Sequence, residues 1–164
     1  MTSSDAPSVR EARATRSTDA AGDLSTSSLT DDVSFLLARA NALSLAAGNA
    51  ALAPHGLKVR SYSVLALVAD GARPSQRELA AFLRLDPSQV VALVDDLQRR
   101  GLVERRPDPA DRRANVVRAT DAGRALHALA LESARVAERT LHADLDERER
   151  AQLAGLLRRI AFSD

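Results

Sequence analysis

Cysteine and tryptophan are absent from this chain of 164 residues, which also carries only four aromatic side chains. Without cysteine, the protein has no disulfide framework, no thiolate nucleophile, no thiolate zinc site and no thiol redox sensor. The apolar residues are mainly alanine and leucine, and Ile160 is the single isoleucine. Because a β-sandwich favours β-branched and aromatic side chains, this composition predicts packed helices.

Long hydrophobic runs are lacking as well. No run approaches the roughly 18 consecutive apolar residues of a membrane span, and residues 1–25 lack the apolar centre of a signal peptide. We therefore expect a soluble, cytoplasmic protein without a membrane partner.

The features that most enzyme classes require are also missing. The seven glycines form no phosphate-binding loop, and neither a Ser/His/Asp order nor a pair of catalytic carboxylates is apparent. The histidines His55, His127 and His142 do not have the spacing of metal ligands. The sequence therefore predicts neither an enzyme nor a bound cofactor or metal.

The formal net charge of +1 conceals an uneven distribution. Residues 57–120 carry 12 basic and 8 acidic side chains, whereas residues 1–30, 31–56 and 121–164 each have one acidic residue in excess. Neutralisation of phosphates would require a positive excess of this kind in a DNA-binding segment. Ordinary scatter of surface charge is the alternative explanation.

The first half of the chain predicts a polar tail and four helices. Residues 1–28 have no helical or strand period and are expected to be disordered. Apolar residues then recur with a helical period over 29–56, where Thr30 is the predicted cap, and over 57–69. Ser75 and Glu78 have the spacing of a capping box, and Asp86 followed by Pro87 predicts the start of a fourth helix that ends at Gly101.

A change of period after Gly101 predicts a β-hairpin and two more helices. Residues 102–106 and 114–120 suit short strands, joined by a basic, proline-containing tip over 107–113. Thr120 is the predicted cap of a long helix that reaches His142, and Asp146 begins a last helix. The expected fold is mainly α with a small β-hairpin wing (α+β), in the order of four helices, two strands and two helices.

Two short helices joined by a tight turn and followed by a basic hairpin form a winged helix-turn-helix. The stretch LDPSQVVALVDDLQRRGLVERR at residues 85–106, followed by DPADRR at 108–113 and TDAG at 120–123, resembles the MarR family of bacterial transcriptional regulators. The order of elements matches from about residue 30 to residue 162. The resemblance implies a DNA-binding domain over 57–120 between dimerisation helices over 29–56 and 121–164.

The resemblance also implies which residues meet double-stranded DNA. The fourth helix enters the major groove, and Arg113 reaches the minor groove with Asp111 as its orienting carboxylate and Arg112 beside it. A solvated turn with a local ion pair is the alternative for this tip. The other candidates begin the third and fourth helices: Ser75, Gln76, Arg77, Ser88, Gln89, Val91 and Ala92.

These candidates differ in what they can contact. Gln89 can read adenine, Ser88 can meet a phosphate or a base, and Val91 and Ala92 suit thymine methyl groups. The family often has a hydroxyl and an arginine where Val91 and Ala92 stand, and a basic residue at Asp96, so specificity here is expected to depend more on the wing and on DNA shape.

The family resemblance further implies a homodimer on a pseudo-palindromic operator, acting as a repressor that a small phenolic or anionic effector releases. The fourth helices of the two copies would act as recognition helices and would then lie roughly 34 Å apart. Arg39, His55 and Tyr62, near Lys58 and Arg60, are the candidate effector residues, with Arg39 suited to a carboxylate or acting as an ordinary surface arginine. The alternatives are a winged-helix module that binds protein, and a regulator without an effector.

Overall fold

The part of the chain that the computed structural model describes, residues 24–108 and 114–163, contains six α-helices and one two-stranded sheet. This order of elements confirms the predicted fold class. The elements are α1 (Val33–Leu52), α2 (Val59–Ala69), α3 (Gln76–Leu83), α4 (Pro87–Arg99), β1 (Val103–Pro107), β2 (Asn115–Ala119), α5 (Asp121–Leu141) and α6 (Glu147–Ala161). The chain divides into two compact units, residues 1–40 and residues 41–164.

The first unit is described from residue 24, so residues 1–23 of the predicted tail lie outside the described residues. Two turns of 3-10 helix, Leu24–Thr26 and Ser28–Asp31, precede α1. The prediction that Thr30 caps α1 is wrong, because Thr30 lies within the second of these turns and donates its hydroxyl to the Ser27 carbonyl. Asp32 has the extended backbone that a cap requires, and its carboxylate accepts from the N–H of Phe35 at 2.7 Å.

In the second unit, a buried core joins the helix-turn-helix to the wing. Five side chains from α2 and α4 are completely buried: Val64, Leu65, Val90, Val94 and Leu97. Val117 of β2 joins them from the wing and is also completely buried. Since α4 buries one face in this core, its opposite face is held outward. The same packing fixes the wing against the helices.

Within this unit, α3 and α6 begin at the residues that the sequence predicts as their caps. The Ser75 hydroxyl accepts from the N–H of Glu78 at 3.2 Å, and the Ser75 N–H donates back to the Glu78 carboxylate at 2.7 Å. Asp146 and Glu149 make the same reciprocal pair at the start of α6. Such caps satisfy backbone donors that a helix start would otherwise leave unpaired.

The hairpin pairs its strands antiparallel, with Val103 opposite Ala119 and Arg105 opposite Val117. The N–H of Val117 also donates to the carbonyl of Pro74 at 2.8 Å, which ties the wing to the segment before α3. At the end of β2, Thr120 caps α5 by accepting from the N–H of Gly123 at 3.0 Å. A Cβ on Gly123 would overlap the Leu102 carbonyl, so the Thr-x-x-Gly pattern reflects a close backbone approach.

Several large apolar side chains remain exposed among the described residues. In the second unit they lie along α6, where Leu153, Leu156, Leu157 and Ile160 are 38–59% exposed, and on α5 at Leu129 and Val136. On α1, Val33 is 65% exposed in the first unit. By length and composition, residues Val33–His55 could also cross a membrane, with a mean hydropathy of 1.2 and only 6% of the window buried.

Candidate nucleic-acid interface

The outer face of α4 is the main candidate surface for DNA. Its inner residues Val90, Val94 and Leu97 are buried, because they follow the helical period into the core. The four predicted contact residues are all exposed on the other side: Ser88, Gln89, Val91 and Ala92. The helix therefore presents one amide, one hydroxyl and two small apolar side chains to a partner.

Ser88 is restricted by the cap of its own helix. The Asp86 carboxylate accepts from both the N–H and the hydroxyl of Ser88, and these hydrogen bonds lower the pKa of Asp86. The Ser88 hydroxyl therefore retains acceptor capacity while its proton points to Asp86. An acceptor suits a base amino group better than a phosphate oxygen.

The three candidates at the start of α3 have different surroundings. The Ser75 hydroxyl is held by Glu78, whose pKa is lowered by the N–H and hydroxyl of Ser75. The Gln76 side-chain oxygen accepts from Arg105, so only its amide nitrogen remains to donate to DNA. Arg77 is exposed and is the candidate of the three whose charge suits a phosphate.

Arg105 is a residue that sequence reasoning missed. It extends from β1 to α3 and α4, where it contacts Gln76, Asp95 and Gln98. The sequence did contain a pattern that indicates this placement. Alternation along a strand puts residue 105 on the same face as the buried Val103. An arginine on the inner face of a wing is expected to pair with the helices beneath it.

The tip of the wing completes the predicted interface. Its candidate residues Asp111, Arg112 and Arg113 lie outside the described residues, so their roles stay predictions. The described strands lead directly to this tip, and the N–H of Asp108 donates to the Ala114 carbonyl at 2.9 Å. At the outer edge of β1, Arg106 pairs with Glu104 at 2.8 Å, which lowers the pKa of Glu104.

Two further cations lie beside the recognition helix. Lys58 and Arg60, at the start of α2, line a groove together with Gln89, Ala92 and Asp96. The sequence had associated both cations with an effector. The structure places both beside α4, and neither lines the cleft that contains Tyr62.

A separate cleft of about 260 Å³ lies between residues 44–52 of α1, α2 and α5. Its lining is mostly apolar, and its polar groups come from Ser44, Tyr62, Ser63, Glu138 and His142. Tyr62 stacks on His127 with ring centroids 5.7 Å apart. Burial raises the pKa of Tyr62, and the nearby Arg135 opposes this shift. Tyr62 is thus a neutral phenol in the wall of the cleft.

The other two candidate effector residues lie elsewhere. The Nε2 atom of His55 is 2.8 Å from the Ser133 hydroxyl, and His55 does not line the cleft. Arg39 is exposed on the part of α1 that belongs to the first unit. Among the described residues, no group of three His, Asp or Glu side chains is arranged to hold a metal ion.

Comparisons with known proteins agree with this geometry. Residues 55–114 match the model of the MarR family. A MarR-family transcriptional regulator from Rhodococcus sp. RHA1 is 41% identical, with 85% of this chain and 100% of that chain covered and a TM-score of 0.79. CouR from Rhodococcus jostii RHA1, solved with p-coumaroyl-CoA, is 43% identical, with 85% and 98% covered and a TM-score of 0.77.

A DNA complex is among the similar structures. The transcriptional repressor CouR bound to a 23-mer DNA duplex is 31% identical, with 81% of this chain and 94% of that chain covered and a TM-score of 0.75. The chain spans 62% and 65% of the length of curated regulatory relatives from Thauera aromatica and Pseudomonas putida. On this likeness, and with the helix-turn-helix and wing in place, the chain belongs to the MarR family of transcriptional regulators.

Proposed function

We propose that the protein is a cytoplasmic, homodimeric repressor that binds a pseudo-palindromic operator and is released by a small aryl effector. The exposed face of α4 beside the wing carries this proposal. A similar protein bound to a DNA duplex supports it.

Sequence reading is assigned to α4 and the wing. Gln89 pairs with adenine, Ser88 accepts from a base amino group, and Val91 and Ala92 contact thymine methyl groups. Arg113 enters the minor groove, oriented by Asp111, where a narrow groove attracts a guanidinium. Direct readout by α4 is modest, so shape readout at the wing contributes much of the specificity.

Backbone contacts are assigned to exposed cations on both sides of α4. Arg77 lies at the start of α3, and Lys58 and Arg60 lie at the start of α2 in the groove beside Gln89. Arg112 adds a further charge at the wing tip. Contacts of this kind fix the register of the protein on DNA without reading its sequence.

The exposed apolar faces support a homodimer. Leucines and Ile160 repeat along one face of α6, and α1 is apolar over most of its length. A second copy of the chain would remove these faces from water, whereas α6 has many charged residues and does not suit a membrane. Recovery of the protein in the membrane fraction, released only by detergent, would contradict this assignment of α1.

The cleft against Tyr62 is assigned to the effector. Its apolar lining suits an aromatic ring, and the similar CouR binds p-coumaroyl-CoA. We expect p-coumaric acid or p-coumaroyl-CoA to raise the Tm and to weaken DNA binding. If neither compound, nor related aryl acids, changes DNA binding, the protein is a regulator without an effector.

Selection from a random double-stranded DNA library tests the proposed function. The full-length protein should recover a pseudo-palindromic fragment, and Arg113→Ala should bind it about tenfold more weakly, since one lost base contact costs about 1–3 kcal/mol. Arg139→Ala is the control, because it removes the same charge from an exposed site on α5. Recovery of no fragment, together with capture of a protein partner through the wing, would favour the protein-binding alternative.

A further inference from the structure

Arg105 is placed differently from Arg106, the next residue of β1. Its side chain is only 25% exposed, whereas the neighbouring Arg106 is 60% exposed and pairs with Glu104 on the same strand. Alternation along β1 explains the difference, since consecutive residues point to opposite faces. Arg105 therefore faces the helices, and Arg106 faces away from them.

The guanidinium of Arg105 connects three elements. Its Nε and Nη2 atoms donate to the Gln76 side-chain oxygen on α3 at 3.2 and 2.6 Å. On α4, Nη1 donates to the Gln98 side-chain oxygen at 2.7 Å, and Nη2 donates to the Asp95 carboxylate. Four of the five guanidinium N–H bonds are used in this way.

Asp95 and Gln98, the two partners on α4, lie three residues apart, so they share a face of that helix. A rotation of α4 about its axis would break both hydrogen bonds at once. The same rotation would turn Gln89, Val91 and Ala92 away from their bases. The guanidinium thus opposes the motion that would most disturb base reading.

We propose that Arg105 is a positioning residue that holds the recognition helix in a fixed orientation against the wing and does not itself contact DNA. It also pairs with the carboxylate of Asp95, which is 56% exposed. This inference rests on the proposed function, because a fixed orientation matters here only if α4 reads bases. A lysine could not replace Arg105, since an ammonium lacks the planar set of donors.

The test compares DNA affinities over a range of salt concentrations for the full-length protein. The probes are the fragment that the wild-type protein selects from the random library and an unrelated duplex of equal length. We expect Arg105→Gln to bind the selected fragment about tenfold more weakly or worse, with about threefold or less effect on the unrelated duplex. The dependence on salt should be unchanged, because no phosphate contact is lost.

If Arg105 instead contacts a DNA phosphate directly, the experiment gives a different result. In that case both duplexes lose affinity together, and the slope of log K against log salt falls by about 0.9 for each contact. That outcome would overturn the inference, as would wild-type discrimination by Arg105→Gln. Arg106→Gln is the matched control, with the same charge change on the outer face of the strand, and should retain discrimination.

Asp95→Ala combined with Gln98→Ala provides a second variant in case Arg105→Gln does not fold. It keeps the arginine and removes only its partners on α4, so the same loss of discrimination is expected. If this double variant discriminates like the wild type, the inference fails. If the wild-type protein selects no fragment at all, the proposed function fails and this inference fails with it.

Discussion

Single residues in this molecule owe their importance to what lies directly against them. Gly123 is required because the first turn of α5 approaches the Leu102 carbonyl without space for a side chain. Tyr62 is held as a neutral phenol between the core and the cleft. The hydroxyls of Ser75 and Ser88, which the sequence offers to DNA, are partly engaged by Glu78 and Asp86.

Gly123→Ala is expected to destabilise the protein strongly. The new methyl group forces α5 away from the end of the hairpin, at a cost of about 2 kcal/mol or more, which corresponds to a Tm lower by about 5 °C. Ala122→Leu, at the neighbouring exposed position, should change the Tm by no more than about 2 °C. Equal Tm values for the two variants would contradict the close approach.

Tyr62 is the single tyrosine of a chain without tryptophan, so absorbance of the tyrosinate reports its pKa directly. Because burial favours the neutral phenol, the midpoint in the folded protein should lie above that of the urea-unfolded chain, near 10. The neutral phenol's contribution to the free energy of unfolding is therefore complete below the unfolded midpoint. It is lost as the pH rises through the folded midpoint. Equal midpoints in the two states would contradict the raised pKa of Tyr62.

At the scale of elements, caps and the wing decide how the recognition helix is presented. Reciprocal capping begins α3, the Asp86 carboxylate caps α4, and Val117 hydrogen bonds to Pro74 to anchor the hairpin. Helix α4 is then held on its inner face by the core and on its flank by Arg105. The wing thus supports α4 through Arg105, and it is also a candidate DNA contact.

The capping box of α3 should make stability depend on acid pH. The lowered pKa of Glu78 means that its carboxylate stabilises the folded state at pH values above its unfolded pKa. This effect is lost as the pH falls through the lower, folded pKa. Urea unfolding should show Glu78→Gln to be less stable than the wild type at pH 7, with the difference reduced near pH 3.

Ser75→Ala removes the other half of the capping box and should cost about 1 kcal/mol at pH 7. Arg77→Ala on the same helix is the control, since Arg77 is exposed. A constant difference between Glu78→Gln and the wild type from pH 7 to pH 3 would contradict the role of the carboxylate.

At the scale of the whole molecule, apolar side chains along α6 remain exposed among the described residues. The exposed leucines and Ile160 on α6 share one helical face, and the opposite face is charged. This pattern is typical of a helix that packs against a partner. Association would also place two recognition helices on one duplex, which raises affinity for a palindrome.

Leu156→Glu should break the proposed dimer, because it places a charge within the apolar face of α6. We expect light scattering to give a mass near 17.5 kDa in place of twice that value, and affinity for the selected fragment to fall about 100-fold. Ala151→Glu adds the same charge on the opposite face of α6 and should remain dimeric. A monomeric wild-type protein that still binds the palindrome tightly would contradict the dimer.

Local rules let the sequence alone determine the helices, most of their caps and the hairpin, since periodicity and capping act within a few residues. They failed at Thr30, where a 3-10 turn moved the cap of α1 to Asp32. Only the tertiary structure brought Arg105 to Gln76, Asp95 and Gln98, and separated His55 from the cleft that holds Tyr62. Such contacts depend on how elements pack, because the groups that meet are far apart in the chain.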